Sequence, residues 1–525
     1  MRAASIVLRL TLDRPQVPGA ARGKIINHFI RNGAQAAMNT AQITDTRILV
    51  IGAGPGGLCT GIKLREAGIE DFVILEKAAG VGGTWWHNRY PGAECDVKSH
   101  LYSFSFELKA DWSRPFAGQA EILTYLEHCA EKYGILPFIR FGHSVRAAHW
   151  QEDESRWQVE TANGQIFRAP ILISGMGMFN ELAWPDFPGL DTFGGTFFHS
   201  ARWNRAHDLT GRKVAVIGNA ASAVQFIPEI AHKTSQLHIF QRTANWVAPK
   251  EDTPYTPAQL AHLRDDPNAI HESRAQIYKD LNEFILFSDP AKQVEYEAAS
   301  LTNLDVVQDP TTRAKLKPTH PFGCKRPLFS NLYYPVFNLP HVELVTEKIA
   351  ELTPEGVLTT DGIERKVDTV IIATGFKVTQ YLSAIEVTGR HGRRLEDAWS
   401  DGAQAYLGIV TSGFPNLFML YGPNTNNGSI ISMLEIQIDY IVRQIRRMER
   451  ERLASIDVRP EVETQYNDAM QREIREVAVW QANCGNYYSV SSGRMVTQWP
   501  HTIDEFCART VHPDGEVFEA VRATA

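Results

Sequence analysis

Cysteine is scarce in this chain, and what there is of it is scattered. Cys59, Cys95, Cys129, Cys324, Cys484 and Cys507 are the only six in 525 residues. None forms a CxxC pair and none lies at ligand spacing from a histidine, so a zinc or iron–sulfur site has no foothold. They are expected to be buried thiols in a reducing compartment, which places the protein in the cytoplasm. Long apolar runs are also missing: no stretch reaches the roughly 18 residues that span a bilayer. There is no Lys/Arg cluster and the net charge is −7, which leaves no electrostatic footprint for nucleic acid. No HExxH or nucleophile elbow occurs, and no repeat of roughly 20–50 residues or low-complexity tract is visible. His87, His100 and His320 lack metal-ligand spacing and are expected to be surface or hydrogen-bonding groups.

What is present is ordinary for a globular protein: 44% hydrophobic and 22% charged residues. The length is too great for one core, and about two to four domains are expected. Residues 1–40 stand apart, with Arg2, Arg9, Arg14, Arg22, Lys24 and Arg31 against a single acid, Asp13. This leader is expected to be a disordered tail or an upstream start ahead of Met38; an Arg-rich transit peptide is the alternative.

The chemistry begins at "RILVIGAGPGGLCTGIKLREAG". The apolar run Ile48 to Ile51 predicts a buried parallel strand. Gly52, Gly54 and Gly57 follow at GxGxxG spacing, then an amphipathic helix, then "FVILEK" with Glu76 at its end, 24 positions after Gly52. Such glycines allow a tight turn, close approach of backbone to a pyrophosphate, and close helix packing; the acid suits an adenosine ribose.

A second copy runs "KVAVIGNAASAVQFIPEIA" and "LHIFQRT". Gly218, Ala220 and Ala223 stand in the three glycine places, and Ala220 is a departure that sets a methyl where a pyrophosphate would approach. Gln241-Arg242 replaces the ribose-binding acid. An arginine fork grips a 2′-phosphate that a carboxylate would repel, which favours NADPH over NADH. Two such sites suggest a flavin enzyme reduced by NADPH.

Two further patterns lie between and after these units. One is Gly82-Gly83-x-Trp85, four residues, Tyr90-Pro91-Gly92, three residues, Asp96. The other is Phe193-x-Gly195, three residues, His199, three residues, Trp203. Together they resemble the two fingerprints of the type I Baeyer–Villiger monooxygenases, within the flavin-containing monooxygenase superfamily. The likeness covers residues 44–250 and 320–505. Asn204 departs from it, since the family usually has Pro or Asp after the Trp.

The resemblance implies an α/β fold with two Rossmann-like dinucleotide-binding domains. A discontinuous FAD domain would take residues 41–178 and 373–525, and 179–185 would be a linker. An NADP domain, 186–250 and 320–372, would be inserted into it. Residues 251–319 are polar with helical periodicity and predict a helical excursion over the active site. By the same likeness FAD contacts would fall on Gly83, Thr84, Trp85, Asp96, Tyr102, Gly422 and Pro423 as well as the first loop. NADPH contacts would fall on Gly218, Ser222, Arg242, Thr243 and Lys325. His199 and Trp203 would govern domain motion, and "PFGCKRPLF" would carry the catalytic arginine, Arg326, oriented by Asp96.

The implied reaction uses NADPH and O2 to insert one oxygen beside a ketone carbonyl, through a flavin peroxide. The nearest rival, oxygenation of nitrogen or sulfur, needs no ketone-activating cation; there the residue at Trp203 is usually Tyr or Phe. A non-catalytic flavoprotein is the third reading, with Ala220 its only support. The aromatic segment with Trp480, Tyr487, Tyr488 and Trp499 suits either a substrate pocket or plain core.

Overall fold

A computed structural model of the chain describes residues 43–287, 289–482, 484–511 and 515–523. The expectations for the leader and for Met38 fall outside these residues. Ten strands build the two sheets that matter for the site: β1 (Ile48–Ile51), β2 (Phe72–Glu76), β3 (Ile139–Phe141), β4 (Ile171–Ser174), β5 (Thr196–His199), β6 (Lys213–Ile217), β7 (Gln236–Phe240), β8 (Val342–Val345), β9 (Thr369–Ile372) and β10 (Leu417–Met419). The first sheet has the order β10-β4-β1-β2-β3 and the second β8-β7-β6-β9-β5, and all pairings in both are parallel.

Both sheets place the glycine-bearing strand, β1 or β6, in the middle. All four residues of β1 are buried, as a strand covered by helices on both faces requires. Each central strand runs straight into a helix, α1 (Pro55–Glu66) or α2 (Ala221–Ala231). The first sheet draws β10 from far along the chain, because Leu417, Phe418 and Met419 pair with Leu172, Ile173 and Ser174. Its core likewise mixes Ile48, Val50 and Ile62 with Ile438, Ile441, Ile445 and Trp499.

The polar stretch 251–319 forms four helices, α3 (Pro257–Asp265), α4 (Ala269–Phe284), α5 (Pro290–Leu304) and α6 (Pro310–Leu316). Thr256 opens the first with a complete capping box to Gln259. The turn after α4 sets Phe287 against Gly323 and Trp480, beside the segment that bears Arg326. No helix among the described residues is long and apolar enough to cross a membrane.

The cysteines correct the sequence reading. Cys324 and Cys484, 160 positions apart, form a disulfide, and Cys507 is exposed. Cys59, Cys95 and Cys129 are buried free thiols, as expected. The pairing arises because the C-terminal loop folds over the Arg326 segment, a contact that spacing along the chain does not encode.

Candidate active site

The first glycine loop is shaped by two different demands. A side chain on Gly57 would put its Cβ 1.8 Å from the Gly52 carbonyl oxygen, and Gly52 itself has φ +96° with Gly175 O only 2.7 Å from where a Cβ would stand. These two glycines are required by the fold. Gly54 is not: its Cβ would meet nothing closer than Gly83 Cα at 3.5 Å, and its backbone is ordinary extended chain. The space over Gly54 is therefore kept for something other than protein. Gly54 also caps α1 with no side-chain bond, and no acid stands in the first turn, so the helix N–H groups suit a pyrophosphate. Glu76, 5% exposed, accepts from Ala53 N and Ala78 N, each at 2.7 Å. Its carboxylate thus fixes the loop and keeps lone pairs for a ribose. These residues fit FAD.

The segment from Gly82 to Tyr102 leaves this loop and reaches the second sheet. Gly83 lies against Gly54, and Thr84–His87 form one helical turn. Trp85 Nε1 donates to the Tyr102 hydroxyl at 3.1 Å. Tyr90 donates to Gln225 Oε1 of α2 at 2.8 Å, and Gln225 Nε2 returns a bond to the Glu94 carbonyl at 3.1 Å. Burial pushes the Tyr90 phenol up to about 12, so it stays a donor. Ser222, in the first turn of α2, is also in reach of it.

The second glycine loop is built alike. Ala220 caps α2 without a side-chain bond and no acid follows it; Ala223, 1% exposed, fills the helix–sheet contact. Gln241 is buried and holds Asn219 Nδ2 at 2.9 Å, while Arg242 and Thr243 are exposed. Lys325 Nζ donates to Thr243 Oγ1 at 2.6 Å. Burial first, and then the neighbouring Arg242, lower the Lys325 pKa. Two cations stand side by side here with no carboxylate partner among the described residues. That cluster fits the 2′-phosphate of NADPH.

One residue on, Arg326 turns the other way. Its Nε donates at 2.9 Å and its Nη2 at 2.6 Å to Oδ2 of Asp96. Two N–H groups of the guanidinium thus converge on one carboxylate oxygen, so Asp96 orients Arg326 as expected of the pair. The Asp96 charge, opposed by burial, raises the guanidinium pKa still further. Both side chains keep an open face, 38% for Arg326 and 31% for Asp96, so the pair is not sealed in core.

The connector joins the two sheets. Ala183 N donates to Gly375 O and Lys377 N to Glu181 O, each at 2.9 Å. The two chain crossings thus run side by side. His199, 1% exposed at the end of β5, packs its ring on Trp184 of one crossing and Phe376 of the other. Its Nδ1 accepts from Ala201 N at 3.1 Å, and burial pushes its pKa down to about 4, so it is neutral. Trp203 packs on Phe198 and Phe226 at 5.2 Å, Phe193 is buried against Gly195, and Asn204 makes a local turn bond to Ala206 N. On the far side, Gly422 and Pro423 lead into Asn424, whose Nδ2 donates to the carbonyls of Met495 at 3.0 Å and Gln498 at 3.1 Å.

Of the C-terminal aromatics, Trp480, Tyr488 and Trp499 are core, at 4%, 3% and 0% exposure. Tyr487 differs, with 37% exposed and its ring edge-on to Tyr488 at 4.8 Å. Sequence reasoning missed Gln225 and Asn486, which carry no motif; Tyr487 was visible only as one aromatic among several. His100 bonds Ser273 at 2.8 Å, and no metal-binding group of His, Cys, Asp or Glu occurs among the described residues.

A family model described as pyridine nucleotide-disulphide oxidoreductase matches residues 49–284. A Baeyer–Villiger monooxygenase of Pseudomonas aeruginosa is 40% identical over 94% of this chain and 95% of its own. One of Streptomyces coelicolor is 38% identical over 91% and 93%. The crystal structure of a cyclohexanone monooxygenase from Rhodococcus sp. Phi1 bound to NADP+ superposes with a TM-score of 0.84, at 30% identity over 92% of this chain and all of that one. With fingerprints, glycine loops and arginine pair in place, the chain belongs to the Baeyer–Villiger monooxygenase family.

Proposed function

We infer that the protein uses NADPH and O2 to insert one oxygen atom beside a ketone carbonyl, giving an ester or lactone. The observation that carries this reading is the divergence of two adjacent residues: Lys325 reaches Thr243 and Arg326 reaches Asp96. One short segment thereby serves both the coenzyme phosphate and a fixed cation. FAD on the first loop and NADPH on the second supply the electrons and the oxygen chemistry when bound.

What the chain itself contributes is charge and position. Oxygen insertion builds negative charge on the ketone oxygen, and a preorganised cation stabilises it. Arg326 is held far too basic by Asp96 to give up a proton, so it acts through its charge and not as a general acid. Asp96 orients it. Oxidation of a soft nitrogen or sulfur has no use for such a cation, which disfavours that rival.

The division that suits the two sheets is a flavin domain of 41–178 and 373–525, with a nicotinamide domain of 186–250 and 320–372 between its parts. The side-by-side crossings at 179–185 and 373–378, touched by His199, would be the hinge. Use of NADPH as reductant favours the cytoplasm. The test is product analysis: purified protein with NADPH and cyclohexanone should yield caprolactone. NADPH consumption giving sulfoxide from a thioether and no lactone would favour the rival.

A further inference from the structure

A second ion pair stands close along the chain to both members of the Arg326–Asp96 pair. Lys250 is buried, and its Nζ lies 2.6 Å from Oε1 of Glu94, two positions before Asp96. The same ammonium is 3.9 Å from Asp252 Oδ2 and 4.5 Å from the centre of the Phe116 ring. Phe116 N in turn donates to Asp252 Oδ1 at 3.1 Å. Two carboxylates and an aromatic face thus enclose one cation, and a buried charge depends on such partners staying in place.

Both sides of the Arg326–Asp96 pair are tied to this enclosure. On the arginine side, Val247–Ala248 and Leu328–Phe329 pair as short parallel strands. Leu328 N donates to Trp246 O at 2.9 Å and Ser330 N to Ala248 O at 3.0 Å. Asn331 extends the ladder: its Oδ1 accepts from Lys250 N at 2.9 Å and its Nδ2 donates to Lys250 O at 2.6 Å. On the aspartate side, Glu94 bridges to Gly118, and Cys95 N donates to Ala117 O at 3.1 Å. The stretch 94–96 is therefore held to these paired segments twice, once by Arg326 and once by Lys250. The Lys250 side chain is 5% exposed against 38% for Arg326, so water loosens the second tie less than the first.

We propose that Lys250 is a positioning residue for Arg326: its ion pair with Glu94 sets where Asp96 stands against the arginine segment, and so where the guanidinium points. The proposal rests on the reading of Arg326 given above. Loss of either charge leaves the other buried and unpaired. The segment shifts to relieve it, and Asp96, two residues from Glu94, shifts with it. A displacement of about 1 Å is enough to cost a large factor in rate.

Thr243 lies on the same stretch as Lys250, so the test begins after hydride transfer. FAD-loaded enzyme is bleached to completion without oxygen by one equivalent of NADPH, then mixed with O2 and cyclohexanone, and lactone is counted per flavin. The rate of reduction does not enter that yield. Lys250→Met and Glu94→Gln should each lower it by roughly 10- to 100-fold. The double variant should be no worse than the poorer single, since the two act as a unit. In an Arg326→Ala background neither substitution should lower the yield further, whereas a purely structural role would lower it in both backgrounds. Glu94→Gln keeps the shape of its side chain, so it carries the test even if Lys250→Met fails to fold. An unchanged yield in Glu94→Gln, while Arg326→Ala loses its lactone, would overturn the proposal. So would a loss that recurs in full when Arg326 is already alanine. A normal yield from Arg326→Ala alone would overturn the reading of the arginine and this proposal with it.

Discussion

Arg326 places two of its N–H groups, at 2.9 and 2.6 Å, on a single oxygen of Asp96, 230 residues earlier in the chain. That geometry fixes the plane of the guanidinium by its Nε–Nη2 edge and leaves Nη1 uncommitted to the acid. A lysine could match the charge but not the edge. Arg326→Lys should therefore recover only part of the ester formation lost in Arg326→Ala, measured as product per NADPH. Full recovery would mean that charge alone suffices.

Gly54 and Gly57 should separate fold from flavin. Gly57→Ala drives a Cβ into a carbonyl oxygen at 1.8 Å, so it should destabilise the protein by well over the about 1 kcal/mol typical of a point substitution. Gly54→Val meets little protein and fits an extended backbone, so it should fold with a near-normal melting curve yet purify without bound FAD. A yellow, fully loaded Gly54→Val protein would contradict the assignment of that loop.

Arg242 and Lys325 form a cationic pair awaiting a phosphate. Arg242→Ala and Lys325→Ala should each raise KM for NADPH by roughly 10- to 150-fold, the equivalent of about 1.5–3 kcal/mol for a charge-assisted bond. NADH should be nearly unaffected, because it lacks the 2′-phosphate. Equal losses with both coenzymes would show that neither cation reads that group.

How much of this was legible in the sequence depends on range. Ile48–Ile51 and Lys213–Ile217 announced themselves, since an apolar run ahead of a glycine turn is a local signal. The Arg326–Asp96 pair came through resemblance and not from spacing, as its members lie on different segments. The bond from Tyr90 to Gln225 and the Cys324–Cys484 disulfide were illegible. Each depends on which surfaces the folded sheets bring together, and neither residue type nor local period encodes that. The disulfide also overturned a compositional inference, because six scattered cysteines say nothing of which two become neighbours.

Acid should expose the buried imidazoles. His100 and His199 are 2% and 1% exposed, and burial lowers both to about 4, against about 6.5 in an unfolded chain. Between those values the unfolded state binds the extra protons. Their contribution is therefore complete above about pH 6.5 and drains as pH falls through 4, on the order of 3 kcal/mol per ring. The melting temperature should drop over that window. The gap between wild type and His199→Gln should narrow as pH falls; a gap that stays constant from pH 7 to 4 would mean His199 is not held neutral by burial.

The central claim is that Arg326 acts on oxygen insertion and not on coenzyme binding or hydride transfer. Stopped-flow reduction of Arg326→Ala by NADPH, run beside quantification of lactone from cyclohexanone, tests it directly. The account predicts a normal flavin content, a reduction rate close to wild type, and lactone formation down by about 10²- to 10³-fold, as when one well-placed stabilising donor is removed. Asp96→Ala should move in the same direction, and the double variant should be no worse than the poorer single. Lactone formation near the wild-type rate in Arg326→Ala, with flavin reduction intact, would contradict it.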